Sequence, residues 1–292
     1  MNLTPPKGFY RWQPAAVLRV LGGDSLTFLQ GQFTNDLQQA GNEGALYGLW
    51  LNQKGKVLAD SFVRKVSASE AWIVSYFSPA SVIRERLEAY IIADDVVIED
   101  VTAAMAGVTL DGEATPAELA FGGTAWAFCG RRGREVHTEI IFPISEAPAL
   151  DDRMRGGTAL GLEDMERRRI AAGIPAVPVD IGPGDLPNEG GLEAEAISYT
   201  KGCYLGQEVM ARLKSMGQVR RRLLKVRGAG EIPPRPAPLF QGERRVGELR
   251  SAARDGAEWV GLAMLSLVQL RREDGLSREA GGPVVVKFSD PA

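Results

Sequence analysis

Residues 201–208 read Lys-Gly-Cys-Tyr-Leu-Gly-Gln-Glu, with one of the chain's two cysteines near their centre. The thiolate is the nucleophilic form of cysteine, and a nearby cation favours it. Lys201 lies two residues before Cys203, so a reactive thiol beside a cation is one interpretation of this stretch. Gly202 and Gly206 allow the backbone to turn tightly or to approach a ligand closely. The residues alone leave a structural role open, because most free cysteines are small buried apolar side chains.

The composition is typical of a soluble globular protein. Of 292 residues, 45% are hydrophobic and 24% are charged, and the formal net charge is −3. This length allows two or three domains, and the small net charge gives no general attraction to nucleic acid or to an anionic membrane. No segment approaches the ~20 apolar residues of a membrane span, and the N-terminus lacks the apolar region of a signal peptide. We therefore expect a cytoplasmic protein without a membrane partner.

Few side chains are available to bind a metal. Cys129 and Cys203 are the only cysteines and His137 is the only histidine, and the chain has no CxxC pair. A zinc or iron–sulfur site built from these side chains alone would be short of ligands, so we predict no metal of its own. Any iron–sulfur cluster is expected to belong to another protein or to contact Cys203 transiently.

The hydrophobic pattern mixes strands and helices without regular alternation, which favours an α+β fold. In the first third of the chain, helices are predicted after Asp24 and over 80–92, and strands at 15–21, 45–51, 57–63, 71–77 and 95–98. The middle third predicts a helix over 163–172 after strands at 105–110, 124–129 and 135–142. Short strands at 219–228, 244–253, 259–265 and 282–288 predict a C-terminal β-barrel. We divide the chain into residues 1–214, which a break near residue 100 could split into two subdomains, and a barrel domain over 215–292.

The 201–208 stretch and Arg212 resemble the signature of the YgfZ-type folate-binding proteins. These are relatives of the glycine-cleavage T-protein that support iron–sulfur enzymes, and T-proteins are not expected to carry this cysteine motif. The resemblance implies that Cys203 is the key thiol and lies near the mouth of a folate cavity. Lys201 is implied to act with Cys203 as its electrostatic neighbour. The remaining motif residues are implied to shape the pocket or to hold its loop: Gly202, Tyr204, Gly206, Gln207, Glu208 and Arg212.

The resemblance also implies a bound folate, tetrahydrofolate or a derivative of it. The implied folate contacts are Asn35, Tyr47, Arg169 and Glu193. The residues themselves leave structural roles open for three of them. Asn35 precedes Asp36 in a polar pair that is typical of a cap or turn, and Tyr47 could fill a core. Arg169 lies near the end of a predicted helix, where cations are favoured.

Two departures separate this chain from the T-protein. The T-protein carries two consecutive acidic residues after its first hairpin turn, the first of them catalytic, and this chain has Ala59-Asp60 there. Alanine cannot support the folate amine, and the neighbouring Asp60 points to the opposite face of the strand. Ala171 replaces a glutamate that recognises the pterin in relatives, and alanine offers no acceptor. We therefore predict no aminomethyltransferase activity.

The sequence thus predicts a folate-binding accessory protein for assembly or repair of iron–sulfur clusters, with client enzymes or assembly factors as partners. The first alternative is a folate-dependent one-carbon transferase that uses another acid–base group. The second is an RNA-associated protein, because seven lysines or arginines and no acidic residue lie between Arg212 and Arg227. A strand surface would equally explain these charges if Leu223, Leu224 and Val226 turn inward, and no aromatic residue is interleaved with them.

Overall fold

A computed structural model describes residues 7–39 and 44–289 of the protein. The helices are α1 (Ser25–Gln32), α2 (Ala80–Glu88), α3 (Leu150–Arg153), α4 (Leu162–Ala172), α5 (Glu193–Ala196) and α6 (Gln207–Met216). The strands are β1 (Gly8–Trp12), β2 (Ala16–Leu21), β3 (Leu46–Leu51), β4 (Val57–Ser67), β5 (Glu70–Ser75), β6 (Val97–Asp100), β7 (Met105–Asp111), β8 (Trp126–Cys129), β9 (His137–Pro143), β10 (Thr158–Ala159), β11 (Arg221–Ala229), β12 (Ala237–Gln241), β13 (Arg244–Asp255), β14 (Glu258–Ser266) and β15 (Val286–Phe288). The mixture confirms the predicted α+β class. No helix within these described ranges is long and apolar enough to cross a membrane.

The first sheet has the strand order β3-β4-β5-β2-β6 and is antiparallel throughout. Its β3–β4 hairpin was predicted from alternating apolar residues around an Asn-Gln-Lys-Gly turn. The Asn52 carboxamide oxygen accepts hydrogen bonds from the backbone N–H groups of Lys54 and Lys56, which fixes the turn. Gly55 has a φ of +69°, and an added Cβ would lie 2.9 Å from the Val209 side chain. Glycine therefore lets α6 pack closely against this turn.

The second sheet has the strand order β10-β1-β7-β9-β8. Strand β1, which the sequence analysis did not predict, pairs in parallel with β10 and antiparallel with β7. The N-terminal strand therefore completes a sheet whose other strands follow residue 104. Such long-range pairing depends on tertiary contacts that short-range patterning does not show.

The third sheet has the strand order β12-β13-β14-β11-β15 and forms the predicted C-terminal barrel. Bridges from Leu276 to Val286 and from Ser277 to Phe240 join its two edge strands. The sequence analysis missed β12, which follows a proline-rich loop and lies at the sheet edge, where proline is tolerated. The first sheet ends at Asp100 and the third begins at Arg221. The division into domains at residues 100 and 215 stays a prediction.

Two local expectations are corrected. The helix predicted over 80–92 ends at Glu88, although Tyr90 and Ile91 still pack against the core of the first sheet. Asp24 precedes α1 as predicted but does not cap it with its side chain. Its carboxylate instead accepts a hydrogen bond from the Asp95 N–H at 2.9 Å, which ties α1 to the segment before β6.

All three sheets contribute to one apolar core, and this core positions the candidate site. Tyr47 and Phe62 come from the first sheet, Trp12 and Phe128 from the second, and Met264 from the third. The Phe62 ring lies 5.3 Å from the Tyr47 ring and 4.6 Å from the Phe128 ring, measured between centroids. Such aromatic pairs add to the stabilisation from burial. The meeting point of the sheets is therefore rich in aromatic side chains.

Candidate functional site

Lys201 fixes the 201–208 loop to the C-terminal end of α1. Its ammonium donates hydrogen bonds to the backbone carbonyls of Gln30 (2.6 Å), Phe33 (2.7 Å) and Asn35 (2.9 Å). Carbonyls at this end of a helix lack intrahelical partners and carry partial negative charge. Burial lowers the pKa of Lys201 to about 8. Lys201, which is predicted to act on the thiol, therefore donates its hydrogen bonds to carbonyls at the end of α1 and holds the loop in position.

Two backbone hydrogen bonds hold the segments on either side of Cys203. The Ser198 N–H donates to the Thr34 carbonyl at 3.0 Å, and the Leu205 N–H donates to the Gly31 carbonyl at 3.2 Å. Cys203 itself is exposed and carries a free thiol. An accessible thiol thus lies on a loop that is anchored at both ends.

The rest of the motif divides into buried and exposed residues. Tyr204 is 6% exposed, and its hydroxyl has no hydrogen-bond partner among the described residues. Gln207 accepts a hydrogen bond from the Tyr204 N–H at 3.4 Å. Gly206 has a φ of +88° at the start of α6, and an added Cβ would lie 3.0 Å from a carbonyl of the β3–β4 turn, so glycine is required there. The exposed residues are Gly202, Cys203, Glu208 and Arg212.

Asn35, a predicted folate contact, has its side chain directed at backbone groups. Its carboxamide N–H groups donate to the carbonyls of Tyr47 (2.9 Å) and Glu195 (3.0 Å), and its oxygen accepts from the Asp36 N–H. The side chain thus links α1, β3 and α5. These contacts match the structural alternative for Asn35, and a folate contact stays a prediction.

Tyr47 shares its face of the hairpin with a buried carboxylate. Its hydroxyl donates to Asp60 at 3.0 Å, and the hydroxyls of Ser75 and Ser78 donate to the other carboxylate oxygen at 3.1 and 2.8 Å. Ala59 points the other way, into the separate core beneath the first sheet. The expectation that Asp60 points away from the face of the predicted folate contact Tyr47 is therefore wrong. Position 59 faces away from Tyr47, and Asp60 supplies the carboxylate.

The titration of Asp60 gives a pH-dependent prediction. Burial raises the pKa of Asp60 above its ordinary value of 3.8, with hydrogen bonds from Ser78 and Tyr47 partly offsetting the rise. The folded state thus holds this proton more tightly than the unfolded state. The stabilisation from Asp60 is therefore largest below pH 3.8 and is lost as the pH rises through the folded pKa.

The quantity to follow is the free energy of unfolding of the wild type minus that of the variant Asp60→Asn. We expect this difference to increase as the pH falls from 8 toward about 4. Urea denaturation at several pH values measures this difference. Asp152→Asn is the control, because Asp152 is exposed and its substitution should leave the pH profile unchanged. A difference that grows with rising pH would contradict the account of Asp60.

A second buried carboxylate, Glu139, lies on the neighbouring sheet. It is fully buried and accepts hydrogen bonds from Tyr76 (2.8 Å), Thr109 (2.8 Å) and Arg132 (3.1 Å). The Arg132 guanidinium lies over the Tyr76 ring, 3.9 Å from its centroid. The sequence analysis missed this cluster. A charged residue inside the apolar strand β9 was the signal that could have revealed it.

Arg131 covers the exposed side of Tyr47. Its guanidinium lies 4.2 Å from the centroid of the Tyr47 ring and forms an ion pair of 2.6 Å with Glu195. The Arg131 side chain is 13% exposed, whereas that of Glu195 is 56% exposed. A cation over an aromatic ring is held by the ring quadrupole as well as by its carboxylate partner. Access to Tyr47 from solvent is therefore bounded by an arginine.

Arg169, a predicted folate contact, is part of a buried structural network. It is 3% exposed and donates to Asp180 (2.6 Å), Glu166 (2.7 Å), the Ile174 carbonyl (2.8 Å) and Ser251 (3.2 Å). These bonds join α4, the segment after it and β13 of the barrel. All the guanidinium nitrogens donate to acceptors among the described residues, which matches a structural role, and the folate contact of Arg169 stays a prediction.

Among the described residues, a cleft lies between α4 and the barrel. Arg169 is the one predicted site residue that lines it. The cleft has a volume of about 1140 Å³ and includes Phe77, Pro178 and Arg250 in its walls. The cysteine motif and Tyr47 lie outside this cleft. It is therefore distinct from the thiol loop.

Glu193, the fourth predicted folate contact, keeps an acceptor available. One carboxylate oxygen lies 3.8 Å from the Arg222 guanidinium, beyond hydrogen-bond distance. The other oxygen is buried without a hydrogen-bond partner among the described residues. Glu193 is therefore the predicted contact whose side chain is best placed to accept from a ligand.

The basic segment from 212 to 227 does not form one free cationic surface. Arg221 pairs with Glu189 at 2.7 Å and Asp185 at 2.8 Å, and Lys225 donates to the Ala171 carbonyl at 3.4 Å. Val226 packs in the barrel core, as expected for an inward-facing strand residue. The charges are thus divided among internal pairs, the helix α6 and the strand β11 with the residue before it, so strand-surface charge explains only part of the segment.

No group of three or more His, Cys, Asp and Glu side chains that could hold a metal ion occurs in residues 7–39 and 44–289. Cys129, the second cysteine, is also exposed and free. Neither cysteine is therefore part of a disulfide or a metal-binding cluster within the described chain.

Two family models match the chain in order along its length. The GCVT N-terminal domain matches residues 12–120, and the CAF17 C-terminal beta-barrel domain matches residues 220–292. The iron-sulfur cluster assembly factor IBA57, mitochondrial, of Mus musculus is 28% identical, over 96% of this chain and 81% of that protein. Its Homo sapiens counterpart is 29% identical, over 97% of this chain and 84% of that protein. The tRNA-modifying protein YgfZ of Serratia proteamaculans (strain 568) is 28% identical, over 84% of this chain and 80% of that protein.

The fold resembles that of the glycine cleavage system aminomethyltransferase T from Bartonella henselae, with a TM-score of 0.80. The match covers 98% of this chain and 86% of that one at 18% sequence identity, so it shows a shared fold. The two domain models follow the same order of sheets that the structure shows, with the cysteine motif between them. The chain therefore matches a GCVT N-terminal domain followed by a CAF17 C-terminal beta-barrel domain, and it is similar to proteins named IBA57 and YgfZ over most of its length.

Proposed function

We propose that this protein is a folate-binding accessory factor for the assembly or repair of iron–sulfur clusters in client enzymes. The observation that carries the proposal is Cys203, an exposed free thiol on a loop anchored by the three hydrogen bonds of Lys201. The naming of two similar proteins as iron–sulfur cluster assembly factors supports it. A cytoplasmic location stays part of this proposal.

One thiol can supply one ligand to a cluster. Iron–sulfur clusters in proteins are usually held by four side chains, most often cysteine thiolates. Cys203 would therefore contact a cluster whose other ligands come from a partner, either the client enzyme or an assembly factor. The exposed position of the thiol suits such a shared, transient contact, because the loop tip can enter a partner's surface without unfolding.

The chemistry of three side chains supports a folate as the proposed ligand. Tyr47 offers an aromatic ring, Arg131 offers a cation beside it, and Glu193 has a buried oxygen without a partner in the described chain. A folate carries a planar pterin with N–H donors and a carboxylate tail, which match these three groups. Tetrahydrofolate or a derivative would supply a reduced pterin that can carry one-carbon units or take part in redox chemistry.

We expect cells that lack the protein to lose iron–sulfur enzyme activity. Cluster-dependent enzymes should fall several-fold in activity in the native host, and the wild-type gene should restore them. Cluster-free enzymes measured in the same extracts are the control and should not change. Unchanged cluster-dependent activities under aerobic growth would contradict the proposal.

One-carbon transfer is a second candidate function because of Asp60. It provides a buried carboxylate on the Tyr47 face, which the family reaction needs in some form. Its two oxygens already accept from three hydroxyls, so it would have to exchange a partner to meet a folate amine. Formation of methylenetetrahydrofolate by purified protein from tetrahydrofolate and an aminomethyl thioether, with release of ammonia and the free thiol, would establish this activity.

Direct RNA binding is less favoured by the structure. Similar proteins are named tRNA-modifying, but Arg221 and Lys225 of the basic segment are engaged within the protein. Phosphate binding needs cations that are free to meet the backbone of the nucleic acid. We therefore propose that any link to tRNA modification runs through client enzymes.

A further inference from the structure

The cleft between α4 and the barrel has apolar walls that are open to solvent. Leu162 at the start of α4 is 60% exposed, Val179 in the segment after α4 is 57% exposed, and both line the cleft. Five prolines also line it: Pro178, Pro183, Pro233, Pro234 and Pro236. Proline has a fixed φ and no backbone N–H, so these walls are stiff and poor in hydrogen-bond donors. The volume of about 1140 Å³ is sufficient for a small organic molecule.

Most of the charged residues in this cleft are paired within the protein. Arg169 donates to Glu166 at 2.7 Å, and Arg250 donates to Asp185 at 2.6 Å and to Glu248 at 3.2 Å. All five residues line the cleft. Each of these charges thus has a partner of opposite charge close by, and none of them requires a ligand for compensation.

Two arginines on the barrel side of the cleft differ from these, because neither forms an ion pair with a carboxylate in the part of the chain that the structure describes. Arg235 donates to the Ala252 carbonyl at 2.7 Å, and Arg254 donates to the Gly230 carbonyl at 2.7 Å. Ala252 and Arg254 belong to the same strand, β13, so the point at which Arg235 is held lies about 6.5 Å along the strand from Arg254. Two exposed cations without a carboxylate partner therefore line one cleft.

The α4 side of the cleft carries the opposite charge. Glu163 is exposed on the first turn of α4 and lines the cleft, and it has no ion pair within residues 7–39 and 44–289. The uncompensated charges of the cleft are thus two cations on the barrel wall and one anion on the α4 wall. A ligand with a single anionic end is favoured with that end at the barrel wall.

We propose that this cleft binds a small organic anion, a molecule with a carboxylate or phosphate group and an aliphatic or aromatic body. The guanidiniums of Arg235 and Arg254 donate hydrogen bonds to the anionic group, since the planar fork of arginine matches both carboxylate and phosphate. The body packs against Leu162, Val179 and the proline walls. Neither Cys203 nor Tyr47 lines the cleft, so this site is separate from the thiol loop and does not depend on folate binding.

The first test compares three ligands that share an eight-carbon chain and differ in their head group. Octanoate, octyl phosphate and the neutral 1-octanol are titrated into the wild-type protein by calorimetry. We expect both anions to bind at least about 10-fold more tightly than the alcohol, because the alcohol cannot form the charge-assisted hydrogen bonds. The tighter of the two anions identifies the head group that the natural ligand carries.

Variants of the cleft then locate the binding. Arg235→Gln and Arg254→Gln should each weaken the binding of both anions by about 10-fold or more and should leave the binding of 1-octanol unchanged. Arg244→Gln is the matched control, because Arg244 is also an exposed barrel arginine that donates to backbone carbonyls, of Val268 and Gln269, and it lies outside the cleft.

A change on the opposite wall avoids any effect on the hydrogen bonds of the arginines. Leu162→Glu adds a negative charge at the exposed first position of α4, where an acidic residue suits the helix dipole. It should weaken anion binding without lowering the free energy of unfolding in urea. Leu162→Gln, which has nearly the same shape without the charge, should bind the anions more tightly than Leu162→Glu.

A chemical readout reports on the arginines directly. Phenylglyoxal reacts with exposed arginine side chains, and mass spectrometry follows each residue separately. Octanoate should slow the reaction at Arg235 and Arg254 and should leave the rate at Arg244 unchanged.

Three results would overturn the proposal. Equal affinity of the wild type for octanoate, octyl phosphate and 1-octanol would show that the cleft does not recognise an anion. Anion binding that is the same in the wild type, both arginine variants and Leu162→Glu would place the ligand elsewhere on the protein. Absence of binding of both anions to the wild type would remove the site altogether.

Discussion

Replacing Arg169 by methionine is expected to lower the free energy of unfolding by about 3–5 kcal/mol, the cost of leaving a buried charge without its partner. Arg169 is 3% exposed and Asp180 is fully buried, and their charged groups lie 2.6 Å apart. Methionine retains most of the apolar volume but removes the cation, so the carboxylate of Asp180 would lie unpaired in the interior. Urea denaturation should show a lower midpoint with an unchanged slope.

An exposed ion pair provides the control. Arg155 and Asp152 also lie 2.6 Å apart, but their side chains are 82% and 79% exposed. Arg155→Met should therefore change the free energy of unfolding by less than about 1 kcal/mol. Adding Asp180→Asn to Arg169→Met should recover part of the loss, because the second change removes the unpaired charge. Equal effects of Arg169→Met and Arg155→Met would contradict the structural role of Arg169.

This network matters for function because it joins the two family domains. Arg169 links α4 to Ser251 in β13, and Arg250 of the same strand pairs with Asp185 at 2.6 Å. Asp185 lies in the irregular segment that leads toward the cysteine motif, and its carbonyl accepts from the N–H of Val57 in β4. A loss of Arg169 should therefore loosen the barrel and the segment before the thiol loop together.

Short-range patterns predicted the elements of the first sheet well. Alternating apolar residues around the Asn52–Gly55 turn were sufficient for the β3–β4 hairpin, because both strands are adjacent in sequence. Strand β1 was missed because its partners, β7 and β10, lie about 100 or more residues away. The fold class and the barrel followed from the pattern and from the family resemblance together.

The error over Asp60 shows why register matters. The alternation of side chains along a strand correctly placed Ala59 and Asp60 on opposite faces. Which face meets Tyr47 depends on the pairing of β3 with β4, where Tyr47 lies opposite Phe62. Asp60 is two residues from Phe62 and therefore shares its face. The sequence predicts that neighbouring side chains of a strand point to opposite faces. The pairing register of β3 with β4 is needed to show which carboxylate lies beside Tyr47.

Sequence proximity also gave no signal of the contacts of Lys201, whose role toward the thiol stays a prediction. Its position two residues from Cys203 suggested that it acts on the thiol, yet its ammonium is held by carbonyls more than 160 residues away. Arg131 lies over the Tyr47 ring and forms an ion pair with Glu195, and these two residues come from separate parts of the chain. A single sequence offers no signal for such pairs, because neither residue has a distinctive local pattern.

Cys203 is expected to be essential for the cluster-related function. The anchors of its loop involve Lys201, Leu205 and Ser198, so removal of the thiol should leave the loop in place. The side chain is exposed, and Cys203→Ala should accordingly change the free energy of unfolding by less than about 0.5 kcal/mol. A loss of function in a stable protein would thus report on the thiol itself. Cys129→Ala is the matched control, because Cys129 is the other exposed free cysteine.

The most direct test measures iron–sulfur enzyme activities in native-host cells that lack the protein and carry wild type, Cys203→Ala or Cys129→Ala at equal protein levels. We predict that wild type and Cys129→Ala restore the activities and that Cys203→Ala leaves them at the level of the empty vector. Restoration by Cys203→Ala to the wild-type level would contradict the central claim that this thiol carries the function.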